Sequence, residues 1–225
     1  LGALAALNPI IAQHYGADRH AAIGATYVQG LWMALFLSAL GCAVLAMPQL
    51  WLPWLHAPSE VELLLTRYLR VLCVGLPGSM LFRAIYALNT AVSRPRVVMA
   101  LQVLGLALKA LLSYGLIYGA LGLPRLGAVG AAASSVVVFW TLFVLGTVYM
   151  RRDPFYRRFA IRWSAPRRPI LRELFALGIP MSASYLLEAT SFTAITLLAA
   201  RLGTTVMGGH QVVASASLVP QGDPT

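Results

Sequence analysis

Residues 174–200 read LFALGIPMSASYLLEATSFTAITLLAA, and a single acidic side chain, Glu188, stands near the middle of that apolar run. A run of this length is enough to cross a bilayer as a helix, which places Glu188 close to the midplane. A charge there costs roughly 2.5–3.5 kcal/mol on insertion scales, so such residues face a cavity or a partner and mark working sites. Gly178, Ile179 and Pro180 precede it, and Thr190, Ser191 and Thr193 follow. Pro180 removes a backbone hydrogen bond and is expected to kink the helix. The kink would turn carbonyls and hydroxyls toward whatever Glu188 binds. The plainer alternative is a Glu satisfied by a neighbouring helix.

The rest of the chain agrees with a membrane setting. It is 59% hydrophobic and 11% charged over 225 residues, against about 25% charged in soluble domains. Its mean hydropathy is +0.76. The apolar runs are long and do not alternate, which predicts an all-α, polytopic transmembrane helix bundle rather than a barrel. Cys42 and Cys73 lie inside such runs and suit neither a disulfide framework nor a zinc site. Leu1–Ala12 begins in mid-helix without a charged leader, and the tail from Pro220 to Thr225 turns polar abruptly, so the chain reads as a fragment of a longer protein.

Taken in order, Leu1 to about His14 is the exit half of a first span, with Asn8-Pro9 inside it. Tyr15 to Arg19 is a turn, and Ile23–Leu50 is a second span ended by Pro48. Trp51, Pro53, Trp54 and His56 fall where aromatic rings collect at a membrane boundary. Ser59 to Glu62 has a capping-box pattern and opens a helix that runs to Val92, with Pro77 a second expected kink. Val97–Gly119 and Ala128–Met150 are the fourth and fifth spans, Gly115 and Gly119 having the spacing that lets helices pack closely. A basic segment, 151–172, leads to the Glu188 helix, and a further span starts near Val206.

Orientation follows from the arginines. Eleven lie in alternate connections (Arg19, Arg94, Arg96 and eight between Arg151 and Arg172), against four on the other side (Arg67, Arg70, Arg125 and Arg201). The richer side, including loop 151–172, is therefore cytoplasmic. That loop supplies +7 of the net charge of +10. It reads as a topological anchor that holds anionic membrane lipids, not as a nucleic-acid surface, since no aromatic platform accompanies it.

Familiar enzyme chemistry is missing. The lone lysine, Lys109, is followed by Ala, so there is no P-loop, and HExxH, CxxC and GxSxG are absent. The histidines, His14, His20, His56 and His210, sit at span ends. Three ionisable groups lie within spans: Arg83, Lys109 and Glu188. Glu188 could pair with either cation. Without a fixed cation, desolvation favours its protonated form, so it could carry a proton or offer oxygen ligands to Na⁺.

At this point the sequence resembles a family. Asn8 to Ala17, Gln29-Gly30, Tyr114 to Gly119, Gly122 to Gly130, Gly178-Ile-Pro180, Glu188 to Phe192, Leu202-Gly203 and His210-Gln211-Val212 are similar, in order and spacing, to the multidrug and toxic compound extrusion (MATE) transporters of the NorM-like branch. The resemblance implies a twelve-helix antiporter of two six-helix lobes around a central cleft. This chain would hold N-lobe helices two to six (1–150), the cytoplasmic linker (151–172), and helix seven with the start of helix eight (173–225). It implies export of small organic cations from the inner membrane in exchange for Na⁺ or H⁺, with no cofactor, by a protein monomeric at full length. Glu188 would bind the coupling cation, Na⁺ included. Gln13, Gln29, Lys109, Tyr185, Thr190 and Gln211 would line the cleft. Lys109 and Ser113 depart from the asparagines common in the fifth helix, and Leu218–Thr225 fits the eighth helix poorly.

Two other readings compete. A lipid-linked precursor flippase of the same superfamily would need Arg83 and Lys109 to line a cationic cavity for phosphates. An intramembrane enzyme using Glu188 as general acid or base would need a second catalytic group, and none stands out.

Overall fold

The computed structural model describes residues 2–47, 59–119 and 124–201. Among them every regular element is helical: α1 (Gly2–Ala5), α2 (Leu7–Gly16), α3 (His20–Ala46), α4 (Ser59–Ala91), α5 (Pro95–Tyr118), α6 (Ala128–Arg152), a 3₁₀ turn (Pro154–Phe159) and α7 (Arg168–Arg201). Five of these, α3 to α7, are long and apolar enough to cross a membrane. The boundary tryptophans at 51 and 54, the first residues of the turn expected from Gly122 to Gly127, and everything after Arg201 lie outside the described residues.

Proline and glycine set the boundaries. Pro9 cannot donate to the carbonyl of Ala5, and the helix divides at Ala6, between α1 and α2. The residue before Pro48 is pushed out of helical geometry, and α3 ends at Ala46. Pro77 and Pro180 lie inside α4 and α7, which continue through them as single helices. Gly119 caps α5 in the left-handed conformation at φ 75°, its N–H donating to the Gly115 carbonyl at 2.9 Å. Gly119 therefore ends the helix, and Gly115, one turn before it, is buried.

Helix α4 is the centre of the bundle and packs on α6, α3 and α2. The shared core holds Leu7, Ile11, Ile23, Ile85 and Leu88, together with Phe159 from the 3₁₀ turn and Leu174 from α7. Helix α1 meets α7 backbone to backbone: a Cβ on Gly178 would lie 2.7 Å from the Ala3 carbonyl oxygen. By contrast α5 turns Met99, Val103, Leu104 and Leu111 outward, the apolar surface expected against acyl chains. Cys42 and Cys73 face each other across α3 and α4 as free thiols, the Cys42 thiol donating to the Cys73 carbonyl at 3.1 Å.

The three arginine-bearing connections meet at one end of the bundle. Arg94 pairs with Asp153 and stacks 3.6 Å over the Phe155 ring. Arg158 stacks on the same ring, also at 3.6 Å, and approaches Tyr15. The segment between α6 and α7 is therefore a docked structure. Tyr156 and Phe159 are buried, and the Tyr156 hydroxyl donates to Asn89 Oδ1.

Candidate functional site: a chamber between α4, α5 and α7

A chamber of about 1210 Å³ opens among α1, α2, α4, α5, α6 and α7. Its polar lining comes as stripes on otherwise apolar helices. Ser79, Arg83 and Tyr86 follow the i, i+4, i+7 spacing on α4; Gln102 and Lys109 stand two turns apart on α5; Met181 and Tyr185 face in from α7. Counted along the helices at 1.5 Å per residue from the linker end, Arg83 lies about 12 Å in, Lys109 about 21 Å and Tyr185 about 26 Å. The chamber thus sits at membrane depth.

Lys109 is held by α6. Its ammonium donates to the Ala131 carbonyl at 2.8 Å and to Ser134 Oγ at 2.9 Å, and it also contacts Ser135 Oγ. Ser113 and Ser134 bridge at 2.9 Å. No carboxylate joins this group among the described residues, so dipoles alone compensate the charge. Arg83 is exposed to the chamber and has neither an ion pair nor a hydrogen bond with any described residue.

Glu188 is exposed on α7 and pairs with neither Arg83 nor Lys109 among the described residues. At 100° per residue it falls within about 60° of Met181 and Tyr185 around the helix. It therefore shares their face of α7, one turn beyond Tyr185, and is not itself among the residues that line the chamber. Thr190 falls about 180° from Met181, and its hydroxyl donates to the Leu186 carbonyl at 2.7 Å. It is not positioned to help Glu188 ligate a cation.

Of the residues expected along the cleft, Lys109 and Tyr185 line the chamber. Gln13 is exposed near the end of α2, at the linker side. Gln29 is fully buried elsewhere and clamps the linker: its amide donates to the Ala165 carbonyl at 3.1 Å and accepts from the Arg167 N–H at 2.8 Å. Gln211 lies outside the described residues. The polar chamber residues missed by that expectation are Asn8, Ser79, Tyr86, Gln102 and Ser135, and Arg83 stands out in the sequence only as a charge within a span.

The MatE family matches residues 1–115. The chain belongs to the MatE family. It is 41% identical over 217 residues to a probable multidrug resistance protein NorM of Aromatoleum aromaticum, covering 96% of this chain and 47% of that protein. It is 32% identical to a probable multidrug resistance protein NorM of Neisseria meningitidis serogroup B, covering 98% and 50%. Among solved structures it is similar to the MATE transporter NorM-NG, held in a complex with a monobody, at 27% identity and TM-score 0.73, covering 96% of this chain and 48% of that one. The eukaryotic MATE transporter AtDTX14, at 21% identity and TM-score 0.77 over 88% and 43%, shares the fold.

The chain spans about half the length of the curated relatives it matches. As a MatE chain it is a partial MATE fold and a multi-pass membrane protein, consistent with the inner membrane of its bacterial relatives. MATE homologues are transporters, so the intramembrane-enzyme reading falls away.

Proposed function

We propose that this chain is the N-lobe (1–150), the cytoplasmic linker (151–172) and the first part of the C-lobe (173–225) of a secondary active multidrug efflux transporter. The transporter exports cationic and amphiphilic compounds in antiport with Na⁺ or H⁺. The observation that carries this reading is Glu188: an acid within a spanning helix, unpaired, exposed, and on the helix face that borders a chamber at membrane depth. An acid so placed takes up a cation when the chamber is open to one side and releases it when open to the other. Its occupancy thereby biases which state of the rocking lobes is populated. A proton needs only the carboxylate, whereas a sodium ion needs further oxygens, which the Thr190 hydroxyl does not supply from the far face.

The test is Glu188→Gln in the full-length protein, assayed for export of an organic cation dye under imposed Na⁺ and H⁺ gradients. Export should lose its ion dependence and fall by at least tenfold, while the folded yield stays the same. Undiminished, gradient-driven export would refute the coupling role.

One observation favours a second reading. Arg83 and Lys109 both line the chamber, which is the condition a lipid-linked precursor flippase would require. Scrambling of a pyrophosphate-linked lipid by reconstituted protein would support it, and export of the dye without scrambling would exclude it.

A further inference from the structure

A cavity meant for cations alone has no use for two cations on its wall. Each charged group at membrane depth costs energy that something must offset, yet Arg83 has no partner among the described residues and Lys109 has only dipoles. No Asp or Glu is among the described residues that line the chamber, and Glu188 stands a turn beyond Tyr185. We infer that the chamber holds the anionic group of an amphiphile, a carboxylate, sulfonate or phosphate. Arg83 is its direct partner, and Lys109 is a fixed positive charge behind Ser135.

The Lys109 cluster is built for this role. Besides the ammonium, the hydroxyls of Ser134 and Ser135 also reach the Ala131 carbonyl, at 2.9 and 3.0 Å. Three side-chain donors thus converge, beside the helix's own N–H, on an oxygen with two lone pairs. Donors are in surplus, and Ser135, which lines the chamber, is placed to turn toward an incoming anion. Arg83 brings the planar fork that matches a carboxylate or phosphate with two parallel hydrogen bonds. The apolar walls at Phe82, Leu106 and Val138 would hold the rest of the molecule. A zwitterion would lie with its anionic end on Arg83 and its cationic end toward Glu188. This inference rests on the reading of the chamber as part of the transport path.

The experiment uses the full-length protein in nanodiscs and two dyes that differ by one group. Rhodamine B carries a free carboxylate, and its ethyl ester is a cation on the same ring system. Binding is followed by fluorescence polarisation against empty nanodiscs. Wild type should prefer rhodamine B. Arg83→Gln should weaken it about tenfold and tighten the ester, since a repelling charge is gone, and Arg83→Lys should restore part of the preference. Because Arg83 is exposed and unpartnered, Arg83→Gln stays folded even where Lys109→Gln disturbs its serine cluster.

Equal weakening of both dyes, or no change in either, would overturn the inference. Displacement of rhodamine B by added phosphatidylglycerol identifies the anion as a lipid headgroup, and indifference to that lipid identifies a soluble amphiphile. Binding in a nanodisc needs no gradient, so it separates the two proposals. A wild type without the anion preference but with Glu188-dependent export sinks this one alone. The reverse pattern sinks the antiport reading alone.

Discussion

Gln29 and Glu188 are both polar side chains set in apolar spanning helices, and the structure treats them in opposite ways. Gln29 is fully buried, and its amide is bonded at both ends to linker backbone. Trp32, one turn on, donates to the Ser164 carbonyl at 2.9 Å and stacks on Trp163. Glu188 is exposed and has no ion pair with a described residue. At the linker end the Gln29 amide is saturated and so holds structure. The chamber leaves polar and charged groups unsatisfied, and those are the groups free to act on a ligand. The family resemblance grouped Gln29 with the cleft. Hydrogen-bond saturation separates them.

The sharpest way to break this contrast is at Gln29. Gln29→Leu keeps the volume but removes the hydrogen bonds to the Ala165 carbonyl and the Arg167 N–H, each contributing about 0.5–1.5 kcal/mol. In the full-length protein the linker should detach, seen as a much lower melting temperature in detergent and as new protease cutting between Trp163 and Arg168. Glu188→Gln, on the same helical scaffold, should leave both readouts where they are. If the two variants melt alike, the division into a structural end and a working chamber is wrong.

Next in size is Gly24. A Cβ there would meet the Phe159 carbonyl oxygen at 2.1 Å, a contact backbone cannot yield to cheaply. Gly24→Val should push the 3₁₀ turn off α3 at a cost of about 1–3 kcal/mol. Cysteine accessibility provides the check: a cysteine placed at Phe159, now fully buried, should become reactive in the Gly24→Val background and stay protected without it.

Much of this is legible in the sequence. The spans are readable because apolar length is a strong signal, and α3 to α7 match the runs read from sequence to within a few residues. The arginine count places Arg19, Arg94 and the 151–172 segment on one side, and the structure gathers that end of the bundle around Phe155 and Tyr15. Less legible is the docking of the segment. Its arginines announce a solvated loop, while Tyr156 and Phe159, which bury it, are two aromatics among many. The chamber is visible as stripes: Ser79, Arg83 and Tyr86, and Gln102 with Lys109, share helix faces by spacing alone. What spacing cannot give is which stripes face each other, and that depends on α4 lying at the centre of the bundle.

The smallest expected effect probes the rim of the linker end. The Asp153 carboxylate is held below its ordinary value of 3.8, chiefly because it accepts the Phe155 N–H; burial opposes this, and Arg94 and the Tyr149 hydroxyl add to the lowering. A carboxylate whose value is lowered by folding stabilises the fold fully above its unfolded value, and that stabilisation is lost as the pH drops through the folded one. The Arg94–Asp153 clasp should therefore be constant from pH 7 to about 5 and weaken below about pH 4. The groups are partly exposed, so water and salt screen them and the whole contribution is about 0.5–1 kcal/mol. Asp153→Asn should lower the melting temperature by about 1–3 °C at pH 7, with the gap closing as the pH approaches 3. A gap that is the same at both pH values would mean that the side chain acts there by its shape and hydrogen bonds, and that its charge contributes nothing to holding the linker.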